Sequence, residues 1–369
     1  MRIWVERGII CNIEPINNFN AVVSTWIGPG LVDLQVNGYS GIDFNTLPLS
    51  EEMIIEVTKA LWQEGVTSYF PTIITNSDTV IEKIINTFSS AINANPILGK
   101  TIKGIHLEGP FISPEDGPRG AHPREYVKPP DWDLFKKWQK AAKGRIKLIT
   151  LSPEWTGSAE FTAKCVAEGV KVAIGHTDAS SKQIFEVLNA GASLSTHLGN
   201  GSHTVLPRHP NYIWDQLAEE RLWASIIADG FHLPDSVLKV IYKVKQNRVF
   251  LVSDSVYLAG LKAGEYETHI GGKVVLTPEG KLHLKENPKF LAGSVKSLRQ
   301  CIEYLNDRLL PFQEAWEMAS LRPSTFMKFD TYKGLEIGAP ADLVLFERYK
   351  SQIKILQTYK FGKLVYSLY

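Results

Sequence analysis

Cysteine is scarce and scattered in this chain, which has only Cys11, Cys165 and Cys301. An odd, dispersed set argues against a disulfide scaffold or a zinc-thiolate cluster, and predicts a reducing, cytoplasmic setting. Net charge is nearly absent as well, with 40 Lys and Arg against 39 Asp and Glu for a formal +1 at pH 7. No global field draws the chain to nucleic acid or to an anionic membrane, so an anionic ligand has to be met locally. Nor is there a run approaching the ~18 apolar residues of a spanning helix. Residues 1–15 mix charges and turn formers into their apolar stretch and lack a signal-peptide core. What remains is 369 residues at 44% hydrophobic and 21% charged, enough for one large globular domain or two smaller ones.

Through the middle of the chain, apolar strand-like runs alternate with amphipathic helical ones. The strand candidates are residues 31–36, 65–74, 103–108, 146–151, 170–176, 193–197, 223–229 and 249–254. Helices fit between them: Ile54, Ile55, Val57, Thr58 and Leu61 recur at spacings of three and four, as do Ile184, Val187 and Leu188. Gly65, Gly169 and Gly191 stand where helix C-caps belong. Eight such repeats with near-continuous apolar strands fit a closed parallel barrel better than an open sheet. Shorter strands are expected at 2–5 and 21–24, and again at 341–346, 353–356 and 363–366. Neither set is stable alone, so the two ends are expected to join in a small β-layer.

The chemistry gathers where the barrel strands end. His106 and Glu108 project to one side of their strand, and Gly109-Pro110 stops the run directly after the acid. His176 and His197 end two later strands, 21 residues apart (197 − 176), close to one β-α unit. Adjacent strands would bring both imidazoles together, and one Glu with two His suits a metal such as zinc with an open position. The alternatives are an arginine-paired Glu108 and core-filling histidines. His106 is expected to be structural, or to support the ligands from behind them. Asp254 ends the eighth strand, either as a general acid/base or as a helix cap, although residues 255–260 do not resemble a helix start. On the first strand Asp33, Gln35 and Asn37 are expected on one face, as a hydrogen-bonded plug or as contacts to water or substrate. The proline-rich loop 113–131 is expected to form a wall or lid; its His122 either polarises a carbonyl or sits exposed. Asn200-Gly201, His203, Arg208 and His209 follow His197, and Gly230-Phe231-His232 follows the seventh strand. Arg, His and glycine-exposed amides suit an anionic group such as phosphate, with solvated loop as the alternative for His203 and His209.

Several stretches carry a resemblance in order: Pro29-Gly30-Leu31-Val32-Asp33-Leu34-Gln35-Val36-Asn37-Gly38, His106-Leu107-Glu108-Gly109-Pro110-Phe111, Gly175-His176-Thr177, Thr196-His197-Leu198, Ile227-Ala228-Asp229-Gly230-Phe231-His232, Val252-Ser253-Asp254 and the tail Gly334 to Leu343. Over about residues 28–346 the chain resembles the N-acetylglucosamine-6-phosphate deacetylase family of the amidohydrolase superfamily. The resemblance implies a (β/α)8 TIM-like barrel over residues 28–333, with a small β-sandwich built from residues 1–27 and 334–369. It implies one main divalent metal on Glu108, His176 and His197, Zn2+ foremost with Fe2+, Mn2+ or Co2+ as alternatives. Gln35 and Asn37 stand where many superfamily members carry His-x-His, so a second metal site is expected to be weak or absent, and both amides are candidate substrate contacts. Asp254 is implied as general acid/base, His122 as the contact to the acetyl carbonyl, and Asn200, Gly201, Arg208 and His232 as readers of the sugar phosphate.

A cytoplasmic homodimer is implied, with part of the phosphate site reached from the neighbouring subunit. The expected reaction converts N-acetylglucosamine 6-phosphate to glucosamine 6-phosphate and acetate. Gly199-Asn200-Gly201-Ser202 departs from the family's usual Tyr-Asn-Ala-Met, and 208–214 is not its usual continuation, which predicts a reshaped sugar pocket. The alternatives are an unphosphorylated N-acetyl sugar, an N-acyl amino acid, or a catalytically silent sugar-binding barrel.

Overall fold

A computed structural model describes residues 1–15, 25–268 and 272–369. The strand expected at 21–24 lies outside the described residues. All eight barrel strands form: β1 (Leu31–Val36), β2 (Val66–Ile74), β3 (Ile105–Glu108), β4 (Ile146–Leu151), β5 (Lys171–Ile174), β6 (Leu194–Ser195), β7 (Trp223–Ile226) and β8 (Val249–Leu251). They pair in chain order, each parallel to the next. The ring closes at its mouth, where Asp254 N donates to Gln35 O (3.0 Å) and Asn37 N to Ser255 O (2.8 Å). Closure matters because it ties the first-strand amides to the end of the eighth strand. Pro71, which lacks an N–H, falls where the β1–β2 register shifts, the place a strand tolerates it.

An apolar cluster of Val32, Leu34, Phe70, Leu148, Ala173, Leu194, Phe250 and Val252 draws on strands all round the ring and fills its interior, with Phe326 packed against it. A larger cluster lies between the strands and the surrounding helices. Helix Glu51–Gln63 starts on Ser50, whose side chain accepts from Met53 N, and helix Ser181–Asn189 starts on Ser180, whose N–H donates to Gln183 Oε1 (2.9 Å). Gly65, Gly169 and Gly191 take left-handed φ values of 81°, 74° and 107° at their helix ends, as a C-cap glycine does.

The two chain ends do meet. Thr25–Pro29 pairs antiparallel with Leu343–Tyr349, which pairs with Gln352–Lys360 and through it with Lys363–Ser367. The hairpin Arg2–Glu6 and Ile9–Glu14 joins this layer through Ile10 N, which donates to Ala339 O (2.9 Å). A three-stranded antiparallel sheet, Gly264–Thr268, Gly272–Leu276 and Leu282–Leu284, follows β8 and was not expected. Its short strands bury only Val274, Leu276 and Leu282, too few apolar positions to stand out in the sequence. No helix among the described residues is long and apolar enough to cross a membrane.

Candidate active site

Three strand ends bring Glu108, His176 and His197 together, all buried. His176 Nε2 and His197 Nε2 lie 3.1 Å apart, His197 Nε2 is 3.1 Å from Glu108 Oε1, and His176 Nε2 is 3.4 Å from the same oxygen. A tetrahedral ion bound at ~2.0–2.1 Å needs donors about 3.3–3.4 Å apart, so these three atoms fit one cation. His176 Nδ1 lies 2.8 Å from the Pro118 carbonyl oxygen, which can only accept. Nδ1 therefore keeps a proton in either charge state: the protonated ring can donate from Nε2 to Glu108, and the neutral ring turns an Nε2 lone pair toward the trio.

The electrostatics favour positive charge at this point. Burial would raise Glu108, but hydrogen bonds from His176 and His197 and their charge hold it well below the usual carboxylate range. Burial pulls His197 down, yet the hydrogen bond to Glu108 and its charge carry the imidazole above its ordinary value. His176, His197 and Asp254 all have left-handed backbones, with φ of 50°, 29° and 47°. Such conformations are strained for residues with a Cβ and persist where the surrounding structure enforces them, so strain and chemistry coincide here.

The first strand holds the acids. Gln35 Nε2 donates to Glu108 Oε1 (2.9 Å), and Asn37 Nδ2 donates to Asp254 Oδ1 (2.7 Å). Asp33 is not in this set: it alternates with Val32 and Leu34 of the interior cluster, and the register shift beyond it turns Gln35 toward Glu108. Its Oδ1 accepts from the backbone of Gln35 (3.3 Å) and Ser253 (3.2 Å), stapling β1 to the end of the eighth strand, and burial pushes its carboxyl up to about 7. Burial, and then the negative charge of Glu108, push Asp254 up to about 6, against the opposing pull of His197 and Asn37.

His122 is not an exposed loop histidine. It is 6% exposed, its ring centroid is 4.5 Å from that of His176, and its Nδ1 lies 2.8 Å from Thr75 Oγ1. Burial drives its pKa down to about 3, with the charge of His176 adding to the effect. Arg119 pairs with Asp116 and donates to the His122 carbonyl oxygen (2.7 Å), which pins loop 113–131 from within. Asn200 Nδ2 donates to His197 O (3.3 Å). Gly201 lies against the metal-site ring itself, since a Cβ there would sit 2.7 Å from His176 Nδ1. His232 Nδ1 is 2.7 Å from Asp229 Oδ2, while Asp229 Oδ1 accepts from Phe231 N and His232 N, both at 2.9 Å. Arg208 is exposed.

Threonines are what the sequence reading missed. His106 Nε2 lies 2.7 Å from Thr150 Oγ1, which is 2.8 Å from Thr196 Oγ1, so His106 is a satisfied interior histidine as expected. Gly175 makes room for these threonines: a Cβ there would meet Thr150 and Thr196 at 2.8 Å. Threonine is common in strands, and nothing in the local pattern marks these as interior partners.

The amidohydrolase family profile matches residues 26–365. N-acetylglucosamine-6-phosphate deacetylase of Bacillus subtilis (strain 168) is 33% identical over 326 residues, covering 86% of this chain and 79% of that protein. The crystal structure of N-acetylglucosamine-6-phosphate deacetylase from Thermotoga maritima superposes with a TM-score of 0.84 at 26% identity, over 99% of this chain and 94% of the other. The Mycobacterium smegmatis enzyme of the same name gives 0.86 over 99% and 95%, and at 23% identity speaks for the fold alone.

Proposed function

This chain belongs to the amidohydrolase family and, within it, to the N-acetylglucosamine-6-phosphate deacetylases, and on that basis we propose how its residues remove the acetyl group of N-acetylglucosamine 6-phosphate. The observation that carries the reading is the Glu108, His176 and His197 triangle, whose 3.1 to 3.4 Å edges suit one cation. Two imidazoles and a carboxylate suit Zn2+ first, and Fe2+, Mn2+ or Co2+ after it. When bound, such an ion supplies Lewis acidity to a carbonyl oxygen and acidifies water in its shell.

The remaining work falls to the chain. Asp254 takes a proton from the attacking water and returns it to the departing nitrogen, because an amine leaves poorly unless protonated. A carboxyl pushed up to about 6 is suited to both halves of that exchange. The neutral His122 donates a hydrogen bond to the acetyl oxygen as negative charge develops there. Gln35 orients Glu108 and Asn37 orients Asp254 through the bonds described above. Asn200, Gly201 and His232 line the sugar side, and Arg208, on an exposed loop, meets the phosphate at the rim. The family resemblance and the three free thiols support a cytoplasmic homodimer.

The test is acetate release from N-acetylglucosamine 6-phosphate and from the unphosphorylated sugar by zinc-loaded protein. Preferential turnover of the phosphorylated sugar is expected. No acetate from either sugar would overturn the reaction, and equal rates would overturn the phosphate assignment.

A further inference from the structure

Thr75 stands one residue past the end of β2, at the barrel mouth, and is 1% exposed. Its Oγ1 lies 2.8 Å from His122 Nδ1, and that ring nitrogen is its hydrogen-bond partner among the described residues. A hydroxyl carries one hydrogen, and a buried one has to give it to an acceptor. We propose that Thr75 is a positioning residue: it donates to Nδ1, so that His122 carries its single ring proton on Nε2 and presents an N–H to the acetyl oxygen. The opposite tautomer would leave the Thr75 hydrogen without an acceptor among the described residues and turn a lone pair from Nε2 against that oxygen. The inference rests on the functional reading above, in which His122 meets the carbonyl.

A second feature of the same turn supports it. Gly109 follows the metal-site residue Glu108 with φ of 88°, and a Cβ on it would collide with Thr75 Oγ1. The glycine of Glu108-Gly109-Pro110 thus keeps the space in which this hydroxyl reaches the ring, and the turn that presents the Glu108 carboxylate also seats Thr75.

The experiment uses the full-length protein labelled with [15N]histidine and loaded with diamagnetic zinc. The His122 ring signals are identified by their loss in His122→Gln. The wild type is expected to hold its ring proton on Nε2 alone, and Thr75→Ser to retain both that state and a near-normal kcat. Thr75→Val removes the hydroxyl at constant shape; kcat should fall at least ~10-fold, part of what a lost oxyanion donor costs, with KM and zinc content unchanged. A ring proton on Nδ1 in the wild type overturns the proposal, as does an undiminished kcat in Thr75→Val or a Thr75→Ser variant as impaired as it. The spectrum needs no substrate, so the absence of acetate from the wild type would count against the functional reading and not against the tautomer.

Discussion

Lys360 Nζ lies 2.6 Å from Asp342 Oδ2, with 0% and 2% of the two side chains exposed. The ammonium also donates to Ser68 Oγ of β2 (2.9 Å), and Asp342 Oδ1 accepts from Phe361 N (2.9 Å). This pair bolts the terminal sheet to the barrel wall. Burial alone would eject both charges, and it does pull Lys360 down to about 8. Removing one partner strands the other, so Lys360→Met should cost ~3–5 kcal/mol, whereas Lys360→Met with Asp342→Leu should recover most of it. Urea unfolding of the two variants decides; a double variant no better than the single one would refute the pairing argument.

Much of this was legible in the sequence, and for identifiable reasons. Buried parallel strands are near-continuous apolar runs, so residues such as Ile146 to Leu151 announced themselves, and an acid or imidazole at the end of such a run is costly to bury without a partner, which singles it out as a candidate for chemistry. Alternation failed at Asp33 because a register shift intervened on β1, and the residue that accompanies the shift, Pro71, stands on the neighbouring strand, so the pattern around Asp33 itself does not show it. His122 was open between buried and exposed because its position depends on how loop 113–131 folds back onto His176, a tertiary matter. Thr75 was invisible for the same reason: its partner is 47 residues away.

Cation binding should release a proton. Glu108 holds His197 above its ordinary pKa, and a metal ligand has to be a bare imidazole, so zinc displaces the proton that the carboxylate favours. Apparent zinc affinity should therefore rise with pH, and calorimetry in buffers of different ionisation enthalpy should report the proton. Glu108→Gln should abolish this release and weaken zinc by more than the ~10–100-fold typical of an outer-shell loss. Zinc at 100 times its Kd should stabilise the fold by about 2.7 kcal/mol, and chelation should reverse the gain.

Phosphate recognition is expected to separate from catalysis. His232 is held by Asp229 through Oδ2 and is tied to the loop by the bonds to Oδ1, whereas Arg208 is exposed. Loss of one charge-assisted contact costs roughly 1.5–3 kcal/mol, so Arg208→Ala should raise KM for the phosphorylated sugar by about 10-fold or more and leave the plain sugar unaffected. Equal changes for the two sugars would remove Arg208 from the phosphate site.

The acid limb of the pH profile should belong to Asp254. A general base works as the carboxylate, so kcat/KM should fall as pH drops through the Asp254 pKa, which burial and Glu108 push up to about 6. A bound dication favours the carboxylate and moves the limb lower, never higher. Asp254→Asn should lose ~10²–10⁴-fold in kcat and, with it, the limb. Asn37 supplies the sharper test. Its 2.7 Å hydrogen bond goes to the charged form of Asp254 and lowers that pKa, so Asn37→Ala should move the limb toward neutral pH, in addition to any loss of plateau rate from the lost orientation. A limb that stays put in Asn37→Ala, or that survives in Asp254→Asn, would assign the titration to some other group and leave the proton exchange without its carrier.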